Sequence, residues 1–253
     1  MKEKGLMVVK SNKLIEASYR LSIQEQQLVL SCIAQIDSRK DISKQDEFRI
    51  TAKDFSMLAN VPIKNAYRDL KEASECLFER RLTFKSPSSD KLLVSRWVSS
   101  VEYSEKEGCV ELCFAQKILP LISQIKSHFT QYNIENIANL TSIHAIRIYE
   151  ICLQYLTIGS REIGVEELKK CLGIENQYSE FKDLNKRVLK PAVDQINKHT
   201  DIKINLTTIR ENRKIKSLKF EIESKKPRHH KLSNQKINKE LTSISKYLDQ
   251  SLH

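Results

Sequence analysis

Lys182, Lys186, Arg187 and Lys190 gather on one side of the segment 179–197 when it is wound at about 100° per residue. Asp183 stands among them and Asn185 at the margin. Phe181, Leu184, Val188, Leu189, Ala192 and Ile196 collect on the other side. Ammonium and guanidinium groups on a helix held by its apolar side suit a polyanion. Lysines hold phosphates as point charges, a guanidinium forks onto guanine, and a carboxamide pairs with adenine. A merely solvated outer face produces the same stripe, so the helix alone does not decide. The segment that follows does more. Arg210, Arg213, Lys214 and Lys216 crowd one turn directly after the helix. Residues 179–220 hold eleven basic and five acidic residues, whereas the whole of 133–224 holds fifteen and thirteen. The acids of that half therefore lie elsewhere, and the asymmetry favours nucleic acid as the partner.

Other chemistries are poorly supplied. The five glycines form neither a G-x-x-x-x-G-K nor a G-x-G-x-x-G phosphate loop. No two of the six histidines are spaced i, i+2, as a metal-dependent tyrosine nickase requires. Cys109 and Cys113 lack a second Cys or His pair at zinc spacing, and no G-x-S-x-G elbow occurs. His229-His230 is expected to bind metal only adventitiously. The residues thus point to a binding protein with no catalytic site, metal or cofactor. Six cysteines in a basic chain without a signal-like N-terminus are expected to be reduced thiols in the cytosol. No stretch approaches the ~18 apolar residues of a membrane span.

The elements that must position these residues come in a repeated order. The chain has 253 residues, 40% hydrophobic and 30% charged, with net charge +11. That allows two small domains with real cores. Residues 21–36 read as a helix, with Ser22 and Glu25 as a capping box. Residues 48–50 read as a short strand. Thr51 then caps a helix over 52–59, Asn60-Val61-Pro62 turns the chain, and a second helix covers 63–78. Strands are expected at 82–84, 93–103 and 110–114, the last two joined by the turn 104–108. Helix, strand, helix, turn, helix and hairpin make a winged helix. Residues 133–224 repeat the order. A helix spans 140–156, a strand surrounds Ile163, and a helix over 165–172 is ended by Gly173. A longer helix is capped by Ser179, and alternation over 202–206 and 218–222 marks a hairpin. Pro191 removes one backbone bond and is expected to kink the long helix, leaving its N-terminal half to face a groove.

The reading is therefore an α+β chain of two tandem winged-helix domains with approximate pseudo-symmetry. They cover residues 1–132 and 133–224, and a basic, mostly disordered tail follows over 225–253, with a short helix near 237–248. In the first domain Lys64, Asn65, Arg68 and Lys71 occupy the polar side of the second helix. Asp69, Glu72 and Glu75 interrupt them, so this face is either a weaker DNA contact or a protein interface.

Three segments, VVKSNKLIEASYRLSIQEQQLVL, LTSIHAIRIYEICLQYL and YSEFKDLNKRVLKPAVDQINKHTDIKI, lie in the order and spacing of a known family. Together they resemble the iteron-binding plasmid replication initiators over about residues 6–224. The resemblance implies two pseudo-symmetric winged helices. It implies monomers that bind origin iterons in double-stranded DNA, open a nearby A+T-rich segment, and recruit the host initiator protein and replicative helicase. It also implies homodimers that bind an operator inverted repeat and repress their own promoter. The first domain then supplies the dimer contact and the second the tighter DNA contacts. Asn185, Lys186 and Arg187 fall on the family's recognition-helix positions, and residues 210–216 on its second wing. Asn185 stands where a basic residue is common. The expected setting is the bacterial cytoplasm, with no membrane. The alternative is a winged-helix transcription regulator that initiates nothing.

Overall fold

The computed structural model describes residues 6–86 and 91–225. The chain begins with strand β1 (Met7–Ser11), a helical turn α1 (Asn12–Ile15) and strand β2 (Ser18–Tyr19). Helix α2 (Ile23–Ile33) follows, opened by the expected capping box. The Glu25 amide donates to Ser22 Oγ at 3.1 Å, and the Ser22 amide donates back to Glu25 Oε2 at 2.9 Å. Strand β3 (Phe48–Thr51) leads into α3 (Ala52–Ala59), where Thr51 and Asp54 form a second capping box. Asn60 leaves α3 in the left-handed conformation at φ 51°, and α4 (Ile63–Glu79) starts after Pro62. Ala66, Leu70, Ala73 and Leu77 of α4 are buried at i, i+4, i+7 and i+11. This apolar stripe packs α4 onto α2 and α3.

Strands β4 (Arg81–Lys85), β5 (Leu92–Arg96), β6 (Val98–Ser104) and β7 (Cys109–Phe114) come next. The strand expected over 93–103 is thus two strands in different sheets. β5 extends the order β2-β4-β5, whereas β6 extends β3-β7-β6. The crossover is pinned at Trp97, whose ring is wholly buried and whose carbonyl accepts from the Ala115 amide at 3.0 Å. The chain then forms α5 (Leu119–Ile122), β8 (Phe129–Asn133), a 3₁₀ turn over Ile134–Ile137 and α6 (Ile143–Leu153). β1 and β8 pair antiparallel from Met7 opposite Asn133 to Ser11 opposite Phe129. The boundary expected at 132/133 falls inside β8.

The second half continues with β9 (Ser160–Gly164) and α7 (Val165–Cys171). Gly173, at φ +66°, closes α7 in a Schellman motif. Its amide donates to the Lys170 carbonyl at 3.0 Å and the Ile174 amide to the Lys169 carbonyl at 2.9 Å. The long helix consists of α8 (Phe181–Leu184), a π-helical stretch (Asn185–Leu189) and α9 (Lys190–His199). Ser179 does not cap it: the N-cap is Glu180, without a side-chain bond. Pro191 acts as expected on the backbone, in a specific form. Proline has no N–H for the carbonyl of Arg187, and the helix widens just before it. The Lys190 amide reaches back five residues to the Asn185 carbonyl. Strands β10 (Ile202–Glu211) and β11 (Lys214–Ser224) complete the chain's described part, in the order β10-β11-β9. Apart from Lys225, the basic tail and its expected short helix lie outside the described residues.

The two halves share one topology. In each, the short strand after the first helix pairs antiparallel with the second strand of the hairpin. Ile50 lies opposite Val110 in the first half, and Ile163 opposite Leu218 in the second. Each helical core closes against that sheet, around Phe55, Leu70 and Phe114 in the first and Leu168, Val188 and Phe220 in the second, all buried. At about 1.5–3 kcal/mol per large side chain, such burial is the main favourable term for each half.

The halves are locked together by polar groups as well. Arg147 of α6 is buried and donates to the carbonyl oxygens of Ala17 at 2.9 Å and Cys171 at 2.7 Å. It also donates to the Tyr19 hydroxyl. Glu150, one turn on, pairs with Lys10 of β1 at 2.5 Å and accepts from the Tyr132 hydroxyl at 2.6 Å. Removing one partner of such a buried pair typically costs about 3–5 kcal/mol. Arg161 of β9 reaches Glu16 at 3.0 Å across the same joint.

Candidate nucleic-acid interface

The site is built on α8, the π-stretch, α9 and the β10–β11 hairpin. Leu184, Val188, Leu189, Ala192 and Ile196 are buried, which fixes the rotation of the helix about its axis. Lys182, Asn185, Lys186, Arg187 and Lys190 are consequently all exposed. Arg187 has only a loose ion pair, 4.0 Å from Asp183, between side chains 69% and 52% exposed. Exposed pairs of this kind hold a side chain weakly, so Arg187 remains available to a ligand. Among the described residues, Lys182, Lys186 and Lys190 have no ion pair.

The wing is a two-residue hairpin. Asn212 and Arg213 sit at its tip with φ 48° and 70°. Two consecutive positive φ angles make a type I′ turn, which matches the twist of the flanking strands and ordinarily carries glycine at the second position. Here that position is an arginine, placed at some cost in backbone energy. Arg210, Arg213, Lys214 and Lys216 are all exposed. Lys216 is paired with Glu211 across the hairpin at 2.5 Å. The wing tip and the start of the long helix face each other across a groove of about 1030 Å³. Arg210, Arg213, Lys214 and Lys216 line it from the wing, Phe181 and Leu184 from α8, and Lys169 from α7. The structure therefore brings the wing cations beside the first turn of the basic helix. Lys182, Asn185, Lys186, Arg187 and Lys190 lie outside the groove lining, on the exposed remainder of that helix.

The first winged helix differs in its charge balance. Lys64, Arg68 and Lys71 are exposed on α4, and Asn65 is half-buried. Arg68 is clamped by its neighbour Asp69 at 2.9 Å, and Lys71 lies 5.5 Å over the Tyr103 ring of β6. Arg49 of β3 is likewise engaged, with Glu107 at 2.6 Å. Arg49, Arg68 and Lys71 are thus engaged within the domain, whereas most of the cations in the second winged helix are not.

Two residues at the site escape sequence reasoning. Tyr178, ahead of α8, takes a left-handed conformation at φ 52° and lines the groove. Nothing in its residue type signals that, since a bulky side chain seldom adopts it. Lys169 is buried on α7, 3.4 Å from Glu166, where helical periodicity alone would leave a lysine in solvent. No helix among the described residues is long and apolar enough to cross a membrane. The six cysteines are free, five of them buried and Cys76 exposed.

Two winged helices in tandem, the second presenting an open basic helix and wing, define a protein of the DNA-binding class. The comparisons agree. A family model described as Initiator Replication protein, WH1 matches residues 7–153, and one described as Initiator Rep protein, WH2 matches residues 164–222. The chain belongs to this family of replication initiators. A Replication initiation protein of Escherichia coli is 30% identical over 225 residues, covering 86% of this chain and 70% of that protein. The PI protein of Escherichia coli is 27% identical over 247 residues, covering 83% and 80%. Among solved structures, the Pi initiator protein in complex with iteron DNA matches with a TM-score of 0.74 at 26% identity, covering 87% of this chain and 98% of that one.

Proposed function

We propose that the protein starts plasmid replication by binding directly repeated iterons in double-stranded DNA at its origin. The observation that carries this reading is the set of exposed, largely unpaired cations on the long helix, next to a wing whose tip is an arginine in a left-handed turn. The likeness to an initiator solved with iteron DNA supports it. The long helix enters the major groove. Arg187 forks onto a guanine and Asn185 pairs with an adenine. Lys182, Lys186 and Lys190 hold phosphates, and Arg210, Arg213, Lys214 and Lys216 of the wing follow the backbone. The widened turn at Asn185–Leu189 lies under the reading residues and sets their angle to the groove.

In this reading residues 133–224 make the tighter DNA contact. Residues 1–132 make a secondary one through Lys64, Asn65, Arg68 and Lys71, or use that face and the rest of the domain for dimerisation. The dimer represses the protein's own promoter at an inverted repeat. The monomer bends or unwinds the origin and recruits the host initiator and replicative helicase. No covalent chemistry is involved: binding energy offsets the cost of deforming the duplex.

The test is replicon maintenance. The gene together with its repeats, on a fragment with no other initiator, should sustain that fragment in a bacterial host. Binding without maintenance would leave a regulator that initiates nothing.

A further inference from the structure

Between the two winged helices lies a cavity of about 310 Å³ that the DNA reading leaves unused. Its size falls at the lower end of the ~300–1,000 Å³ typical of small-molecule sites. Four of its lining residues are basic in type: Arg20, Arg80, Arg147 and His144. No carboxylate lines it. Glu25 lies behind Arg80, held by a two-pronged bond at 2.9–3.1 Å, and Glu150 lies behind Arg147 at 3.6 Å. Glu150 is shared with Lys10, so its carboxylate is divided between two basic groups.

Two buried nitrogens remain without a partner among the described residues. Arg147 is 1% exposed, yet its Nε–H has no acceptor among the described residues. An unpaired buried donor on a charged group is costly, and an acceptor bound beside it would relieve that cost. His144 Nδ1 is likewise buried without a partner. Arg20, on the rim, is exposed and has no ion pair among the described residues. Ser22 adds a hydroxyl at the same wall.

We propose that this cavity is a phosphate site, with Arg20 and Arg147 as its charged donors. Three cationic groups and no lining acid fit an anion with several acceptor oxygens, and forked guanidinium contacts suit phosphate in particular. The phosphate can belong to a small free compound or to the DNA backbone. Tyr178 lines both this cavity and the wing groove. Tyr178 therefore connects the cavity to the DNA-facing surface. That last coupling rests on the DNA reading, whereas the binding itself does not.

Trp97 provides the readout. It is the chain's one tryptophan, and its ring meets Tyr19 edge-on at 4.9 Å. Tyr19 in turn lines the cavity. The full-length protein is titrated with inorganic pyrophosphate, with sodium chloride at matched ionic strength as the reference, while Trp97 emission is followed. The same is done for Arg20→Gln, a rim substitution that leaves the core intact. A saturable change in the natural protein, weakened about tenfold in Arg20→Gln, establishes a site for a free phosphate compound. In the DNA arm, the salt dependence of binding to a fragment of its own replicon is compared for the two proteins. No response to pyrophosphate, with a log–log salt slope lowered by about one in Arg20→Gln, assigns the site to a backbone phosphate. No pyrophosphate dependence on Arg20 and an unchanged slope overturn the proposal.

Discussion

Gly173 packs against the backbone of Tyr19 so closely that a Cβ at position 173 would lie 2.7 Å from the Tyr19 carbonyl carbon. The glycine that ends α7 in the second winged helix therefore sets the distance to β2 in the first. It is required twice, once for its left-handed φ of +66° and once for this approach. Gly173→Ala should cost about 2–4 kcal/mol, from roughly 1–2 for the conformation and the remainder for the displaced strand. In a chain this size the melting temperature should fall by roughly 5–15 °C. Gly164→Ala is the control. Its Cβ would meet nothing nearer than 3.8 Å, and it should change stability by less than about 1 kcal/mol. Equal effects of the two substitutions would contradict the close approach.

Arg187 and Lys214 separate reading from holding. Arg187→Ala should cost about 1–3 kcal/mol on the cognate repeat and relax the preference at one base pair. Lys214→Ala should weaken all duplexes alike and lower the salt slope by about one. Competition binding against single-base variants of the repeat distinguishes them. A uniform loss on every sequence from both changes would remove Arg187 as a reader.

Arg213 at the wing tip sets stability against binding. Arg213→Gly relieves the left-handed arginine and should stabilise the folded protein by about 1 kcal/mol in denaturant. The same change should weaken DNA binding and lower its salt slope by about one. Gain in stability with undiminished affinity would mean that the tip does not meet the duplex.

Alkaline pH should destabilise the protein earlier than tyrosine ionisation alone would. Burial raises the thiols of Cys32, Cys152 and Cys171, that of Cys152 to about 12. Unfolded thiols ionise near 8.5, while the folded ones keep their protons. The folded state then binds more protons, so stability is intact below about pH 8 and falls as pH rises past 9, by about 1.4 kcal/mol per pH unit for each such thiol. Tyr19, Tyr132 and Tyr149, raised chiefly by burial, add to the fall above about pH 10. Lys10, lowered by burial, acts in the opposite sense below its ordinary value, but it is one group against three thiols. Urea midpoints at about pH 8, 9 and 10 should decline, and Cys152→Ala should flatten the decline by one group's share. A flat or rising profile would contradict the burial of these thiols.

The sequence made local features legible and left distant ones hidden. The Ser22–Glu25 capping box, the Thr51 cap, the span of α3, the left-handed exit at Gly173 and the basic hairpin follow from residue types within a few positions of one another. The crossover at Trp97 does not. Alternation continues through 93–103, and only the burial of Trp97 between two sheets breaks the strand. The pairing of β1 with β8 joins residues more than a hundred positions apart, beyond any local pattern. At the site, the exposure of the helix cations follows from the wheel. The π-stretch was visible only as a kink at Pro191, because the widened turn depends on how Asn185 and Lys190 settle around the missing donor. The clamping of Arg68 and Lys71 could be suspected from the interleaved acids, but the Tyr103 contact comes from another strand.

The most direct test of the account is a footprint. The purified protein is incubated with fragments of its own replicon and excess competitor DNA at near-physiological salt, in concentrated and in dilute, monomerised samples. The account predicts protection of direct repeats spaced by whole helical turns of about 10–10.5 bp, strongest in the dilute sample. Absence of sequence-selective protection in both samples would contradict it.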